Sequence, residues 1–215
     1  MNKVVIFDLD GTLLDTIKDI AENVNLTLES FGYPTLTEKE IMKYVGNGAR
    51  KLIERSLKVK LSDRDFEEVF KYYDALYTSS KSEKTCVFDG LKEVLTELKN
   101  RGYKLAILSN KQQAATYNVY LKYLKEYHFD IVLGQRDGVP IKPNPAAVYE
   151  MLKELNASPE NAYFVGDGET DVMTAINAGI NGVAVLWGYR ELEQLSAAGA
   201  TVFASKPSDL ISIIK

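Results

Sequence analysis

Short apolar runs alternate with helical stripes along most of the chain. Val4, Val5, Ile6 and Phe7 form an unbroken β-rich run that ends in Asp8 and a glycine turn, which predicts a strand covered on both faces. Runs of the same kind lie at 104–108, 131–133, 162–165, 183–186 and 201–204. Between them, Leu91, Val94, Leu95 and Leu98 keep helical spacing before Gly102. Val148, Met151, Leu152 and Leu155 do so after Asn144, read as an N-cap, with Pro145 at the first helical position. Alternating strands and helices predict an α/β fold with a doubly wound, Rossmann-like parallel sheet.

From about Asp15 to Thr85 the alternation stops and every periodic pattern is helical. Thr16 with Asp19 resembles a capping box ahead of the stripe Ile17, Ile20, Val24, Leu28 and Phe31; Thr37 with Glu40 opens a second helix. Ala49, Leu52, Ile53 and Leu57 suggest a third. Ser62 with Asp65 introduces a fourth, whose stripe is Phe66, Val69, Phe70, Tyr73, Leu76 and Tyr77. The expected organisation is a catalytic core made of residues 1–14 and 85–215, carrying a helical insertion at 15–84 that returns through the polar Lys81-Ser82-Glu83-Lys84 linker.

At 215 residues, 46% hydrophobic and 26% charged, the chain has the size and composition of one globular domain with an insertion. A net charge of -4 gives no electrostatic footprint for nucleic acid or an anionic membrane, so an anionic substrate would need locally placed cations. No apolar run reaches the length of a membrane span and the first residues carry no secretion signal, while the single cysteine, Cys86, suits a reducing compartment; a cytoplasmic address is expected. Cys86 reads as a small hydrophobe near the edge of the insertion and the single histidine, His128, as a surface residue. Catalysis should therefore rest on carboxylates.

In an open α/β sheet, ligands bind beyond the carboxyl ends of the strands, and four sets of residues fall there. Asp8 and Asp10 flank Leu9 in FDLDGT, putting both carboxylates on one side of an extended segment before Gly11 turns the chain. ILSNK offers Ser109 and Asn110, and IKPNP offers Lys142 beside a helix N-terminus. FVGDGETD offers Asp167 and Asp171, four apart at a strand-to-helix junction. Converging carboxylates repel one another unless a hard divalent cation, magnesium by preference, sits among them, and a lysine and hydroxyl opposite suit a phosphate. In the insertion, the Gly46-Asn47-Gly48 turn with Arg50 beside it is a candidate reader of a second anionic group, because a guanidinium forks onto carboxylates.

These four motifs, in this order, resemble the phosphatases of the haloacid dehalogenase superfamily, and the resemblance covers essentially the whole chain. It implies that Asp8 attacks phosphorus to form an aspartyl-phosphate and that Asp10 acts as general acid and then base. It implies that Ser109 and Lys142 hold the phosphate, and that Asp8 and Asp167 hold Mg2+ with the main-chain carbonyl of Asp10 and with Asp171, directly or through water. The insertion corresponds to a cap. VGNGAR at 45–50 and WGYR at 187–190 resemble the phosphoglycolate phosphatase branch, so a small phosphorylated metabolite, 2-phosphoglycolate first, is the expected substrate. Pyrophosphatases, nucleotidases and sugar-phosphate phosphatases or mutases share parts of these signals, and Gly168 stands where many relatives have serine. A non-catalytic binding protein on the same fold would be expected to lack Asp8, Asp10, Lys142 or Asp167, and all are present.

Overall fold

The computed structural model describes residues 1–215. Strands β1 (Asn2–Phe7), β4 (Lys104–Gln112), β5 (Ile131–Gln135), β6 (Ala157–Gly166), β7 (Asn181–Val185) and β8 (Phe203–Ala204) form one sheet, while β2 (Leu14–Asp15) and β3 (Cys86–Val87) form a separate two-stranded ribbon. Helices α1 (Ile17–Ser30), α2 (Glu38–Met42), α3 (Ala49–Leu57) and α4 (Asp63–Ser79) lie between the two strands of that ribbon. Helices α5 (Leu91–Asn100), α6 (Gln113–Tyr123), α7 (Ala146–Glu154), α8 (Glu169–Ala178), α9 (Leu192–Ala197) and α10 (Leu210–Ile213) follow.

The sheet is parallel, in the order β5-β4-β1-β6-β7-β8, with Phe7 opposite Ile107 on one side and Val165 on the other. Alternate residues of β1 feed opposite layers. Val5 and Phe7 pack with Leu91, Leu95 and Leu98 of α5, whereas Val4 and Ile6 pack with Val148 and Met151 of α7 and Ala175 of α8. All four side chains of 4–7 are fully buried, as a run without polar alternation requires. Because the chain runs from β1 to β4 and β5 on one side and then crosses over to β6 on the other, a crevice opens at the carboxyl end of β1.

The insertion helices have an apolar cluster of their own, built from Ile17, Ile20, Val24, Leu28, Ile41, Ile53, Val69, Phe70, Tyr73 and Tyr77, with Ala115 of α6 as the contribution from the sheet-bearing part. Thr37 and Glu40 form the expected reciprocal capping box, and Ser62 accepts from the Asp65 amide. Thr16 and Asp19 do not form one. The Thr16 hydroxyl donates to Asp10 Oδ1 at 2.6 Å, and the Asp19 carboxylate instead receives the Lys84 amide and the Thr85 hydroxyl, the latter at 2.6 Å. What reads as a local helix start is thus a clamp between outgoing and returning chain. Asn144 likewise sits one place earlier than expected: α7 begins at Ala146, with Pro145 as its cap residue, and the Asn144 side chain accepts from the Ala146 amide at 3.0 Å. Cys86, in the ribbon, is exposed rather than packed, and no helix is long and apolar enough to cross a membrane.

Candidate active site

Three carboxylates meet in the crevice. Ligand oxygens of Asp8, just past β1, Asp167, just past β6, and Asp171, in the first turn of α8, all lie within 4.8 Å of one another, and all three residues are buried. Lys142 fills the same spot from the loop before α7: its Nζ is 2.7 Å from Asp8 Oδ1 and 2.6 Å from Asp171 Oδ1. Burial and the neighbouring Asp171 push the Asp8 carboxyl well above its ordinary range, and the same two causes push Asp167 up to about 7. Burial would lower the Lys142 ammonium, but Asp171 and Asp8 outweigh it and hold that group above its usual value. One ammonium against three carboxylates leaves excess negative charge, which a further cation would neutralise. Hard oxygen donors of this kind fit a divalent metal.

Asp167 is enclosed from three directions. Thr12 Oγ1 donates to its Oδ1 at 2.7 Å, and the Tyr189 amide donates to its Oδ2 at 2.8 Å. Gly11 passes so close that an added Cβ would sit 2.3 Å from Oδ2, and its φ of +87° is itself a glycine conformation. Asp171 is aimed by the Gly168 amide, which donates to its Oδ2 at 2.9 Å.

Asp10 stands apart from this cluster. Its Oδ1 accepts from Thr16, and its Oδ2 lies 2.9 Å from Lys111 Nζ. Asp10 therefore keeps an orientation different from Asp8. Ser109, 4% exposed, joins Asp8, Asp10 and Lys142 in lining a cavity of about 50 Å³. Insertion residues Val45, Gly46, Leu52, Tyr73 and Tyr77 line its other side.

Asn110 and Arg50 make contacts that the sequence does not show. The Asn110 amide nitrogen donates to the carbonyls of Gly46 and Lys142, and its oxygen accepts from the Lys142 amide. Asn110 lines the cavity beside Asp8, and with both N–H groups of its amide taken its side chain positions Lys142 and holds the Gly46 turn. Arg50 pairs with Glu67 and stacks over Phe66 and Phe70, 47% exposed on the outer side of the insertion, and it does not line the cavity at Asp8. The long guanidinium side chain of α3 finds a partner on α4 that a sequence cannot foresee. Asn47 does reach the crevice, lining a narrow cleft with Asp8, Asp10, Asp167 and Asp171.

Sequence reasoning assigned no role to Lys111, Tyr189 or Arg190. Lys111 directly follows Ser109 and Asn110, so its place at the end of a buried strand was the available signal. The Tyr189 hydroxyl accepts from the Thr16 amide at 2.9 Å, tying the loop after β7 to the start of the insertion. Arg190, 9% exposed, donates to the carbonyls of Met42 and Val45 in the insertion and to Glu169 at the start of α8.

The crevice, the ordered carboxylates and the lysine define the class: the chain belongs to the haloacid dehalogenase-like hydrolase family, whose sequence profile matches residues 5–185. It is 32% identical over 212 residues to a phosphoglycolate phosphatase of Aquifex aeolicus, spanning 99% of this chain and 96% of that one. A phosphoglycolate phosphatase of Vibrio parahaemolyticus is 30% identical over 99% of this chain and 96% of its own length. The crystal structure of a proposed phosphoglycolate phosphatase from Lactobacillus delbrueckii superposes with a TM-score of 0.93 at 28% identity, covering 100% of this chain and 99% of that one. The chain is a phosphoric monoester hydrolase of this family.

Proposed function

We propose that this phosphatase hydrolyses 2-phosphoglycolate, or a phosphate ester of similar size, with Mg2+ as cofactor and an aspartyl-phosphate on Asp8 as intermediate. The observation that carries the reading is the division of labour at the end of β1: Asp8 lies among the buried carboxylates and Lys142, while Asp10 faces Thr16 and Lys111. Asp8, Asp167 and Asp171 would hold the metal, which when bound screens the charge between carboxylate and phosphate. An Asp8 oxygen forms a bond to phosphorus as the ester P–O bond breaks, and the leaving oxygen takes the proton held by Asp10. Water then attacks the phosphorus of the aspartyl-phosphate. Asp10 takes the water's proton, and phosphate leaves with Asp8 restored.

Lys142 and the Ser109 hydroxyl hold the phosphoryl oxygens, and residues 15–84 act as a cap whose closure excludes water from the ester. Small size in the substrate is supported by the cavity, whose roughly 50 Å³ has room for only a few water-sized groups. A phosphate-release screen over phosphorylated metabolites, with Mg2+ and with chelator, tests the reading. The expected result is metal-dependent release that is fastest from phosphoglycolate. Full turnover in excess chelator would overturn the metal assignment, and a strong preference for nucleotides or hexose phosphates would overturn the substrate.

A further inference from the structure

Two basic side chains line the cavity above Asp8: Lys142 and Lys111. Lys142 is committed to Asp8 and Asp171. Arg190 spends its guanidinium on main-chain carbonyls and Glu169, and Arg50 faces Glu67 outside. Lys111 is therefore the one cation at the cavity not held among the clustered carboxylates. Its Nζ is 6% exposed as a side chain, 2.9 Å from Asp10 Oδ2, 2.7 Å from the Tyr77 hydroxyl and 4.5 Å above the Tyr77 ring.

An ammonium has three N–H groups, and Asp10 and Tyr77 take two of them. The Tyr77 oxygen accepts from Lys111, which leaves its own proton to donate, and it makes no second hydrogen bond to protein. One N–H of Lys111 and the O–H of Tyr77 are thus two unspent donors, one from the sheet and one from the insertion, on the wall of the same cavity. We propose that these two groups read a carboxylate on the leaving-group side of the substrate, making Lys111 the residue that selects phosphate esters of short 2-hydroxy acids.

The position follows from the chemistry. The acid that protonates the ester oxygen is Asp10, and Lys111 touches Asp10, so a group bound by Lys111 must be carried within a bond or two of that oxygen. A carboxylate on the adjacent carbon meets this condition; a distant anion at the end of a sugar or nucleotide does not. The inference rests on the phosphatase reading of Asp8 and Asp10 given above.

The test compares kcat/KM for phosphoglycolate with that for 2-hydroxyethyl phosphate, which keeps the skeleton but replaces the carboxylate by a hydroxymethyl group. The wild-type protein should prefer phosphoglycolate, and Lys111→Met should lose about 10- to 100-fold of that preference, the range of one charge-assisted hydrogen bond. Lys111→Arg should retain part of it, and Tyr77→Phe should lose a smaller part. If Lys111 serves only to position Asp10, Lys111→Met slows both substrates alike and the ratio stays put, which overturns the inference while the function stands. A wild-type enzyme that hydrolyses both equally overturns the inference and the phosphoglycolate reading together. Should Lys111→Met fail to fold, Lys111→Gln and Tyr77→Phe report the same ratio, and an unchanged ratio in both refutes the role.

Discussion

Lys142 is expected to be the largest single electrostatic support of the metal-free fold. Its side chain is 2% exposed and lies within 2.7 Å of oxygens on both Asp8 and Asp171. Lys142→Met keeps most of the volume but removes the only ammonium among three buried carboxylates. Removing one partner of a buried ion pair costs about 3–5 kcal/mol, because the remaining charge has neither water nor a counter-ion. For a chain of this size each kcal/mol moves the melting temperature by about 2–4 °C, so a fall of roughly 6–20 °C is expected in chelator at pH 8. The loss must shrink on acidification. Asp8 and Asp167 already hold protons more tightly folded than unfolded, so a mildly acidic solution neutralises them in the folded state and relieves the repulsion. Urea unfolding of both proteins at pH 8 and pH 5.5 measures the difference. A loss below about 1 kcal/mol at pH 8, or one that grows at pH 5.5, would show that Lys142 does not compensate this cluster.

Four further outcomes are expected. Asp8→Asn should abolish turnover and show no phosphate adduct by intact mass after acid quench, whereas Asp10→Asn should slow both formation and hydrolysis of the adduct. Asp167 titrates near 7 when metal-free, against about 4 in an unfolded chain, so metal-free stability should fall as pH rises through that window. Magnesium should accordingly raise the melting temperature more at pH 8 than at pH 5.5, and a larger rise at pH 5.5 would contradict these ligands. Asp19→Ala should cost about 2–3 kcal/mol in denaturant unfolding by freeing the Lys84 amide and Thr85 hydroxyl, which are held across the base of the insertion. Arg50→Ala should leave kcat/KM within about twofold and stability within about 1 kcal/mol, since its ion pair with Glu67 is exposed.

The long elements were legible because their signals are physical requirements of burial. A strand covered on both faces must be apolar throughout, as Val4 to Phe7 are, and α1 must present one stripe to its neighbours. The ribbon of β2 and β3 was not legible, since two residues carry no period and their pairing joins Leu14 to Val87 across the whole insertion. Helix α6 was hidden for another reason. Tyr117 and Leu121 are exposed while Val119 and Tyr120 are buried, so its apolar residues mark no single face. In the site, residues directly after strands could be named because the topology fixes where strand ends point. The contacts of Asn110 and Arg50 were not legible because a side chain's partner, Lys142 main chain in one case and Glu67 in the other, is set by tertiary packing. The Thr16–Asp10 bond was masked by a stronger local pattern, the apparent capping box with Asp19.

The grip of Arg190 on the insertion has an evolutionary side. The guanidinium holds the carbonyl oxygens of Met42 and Val45, and a carbonyl is present whatever residue occupies those places. Substitutions in this stretch can therefore change the side chains of the insertion without releasing it from the core. Such an attachment tolerates change in the sequence it holds, provided the arginine itself is kept.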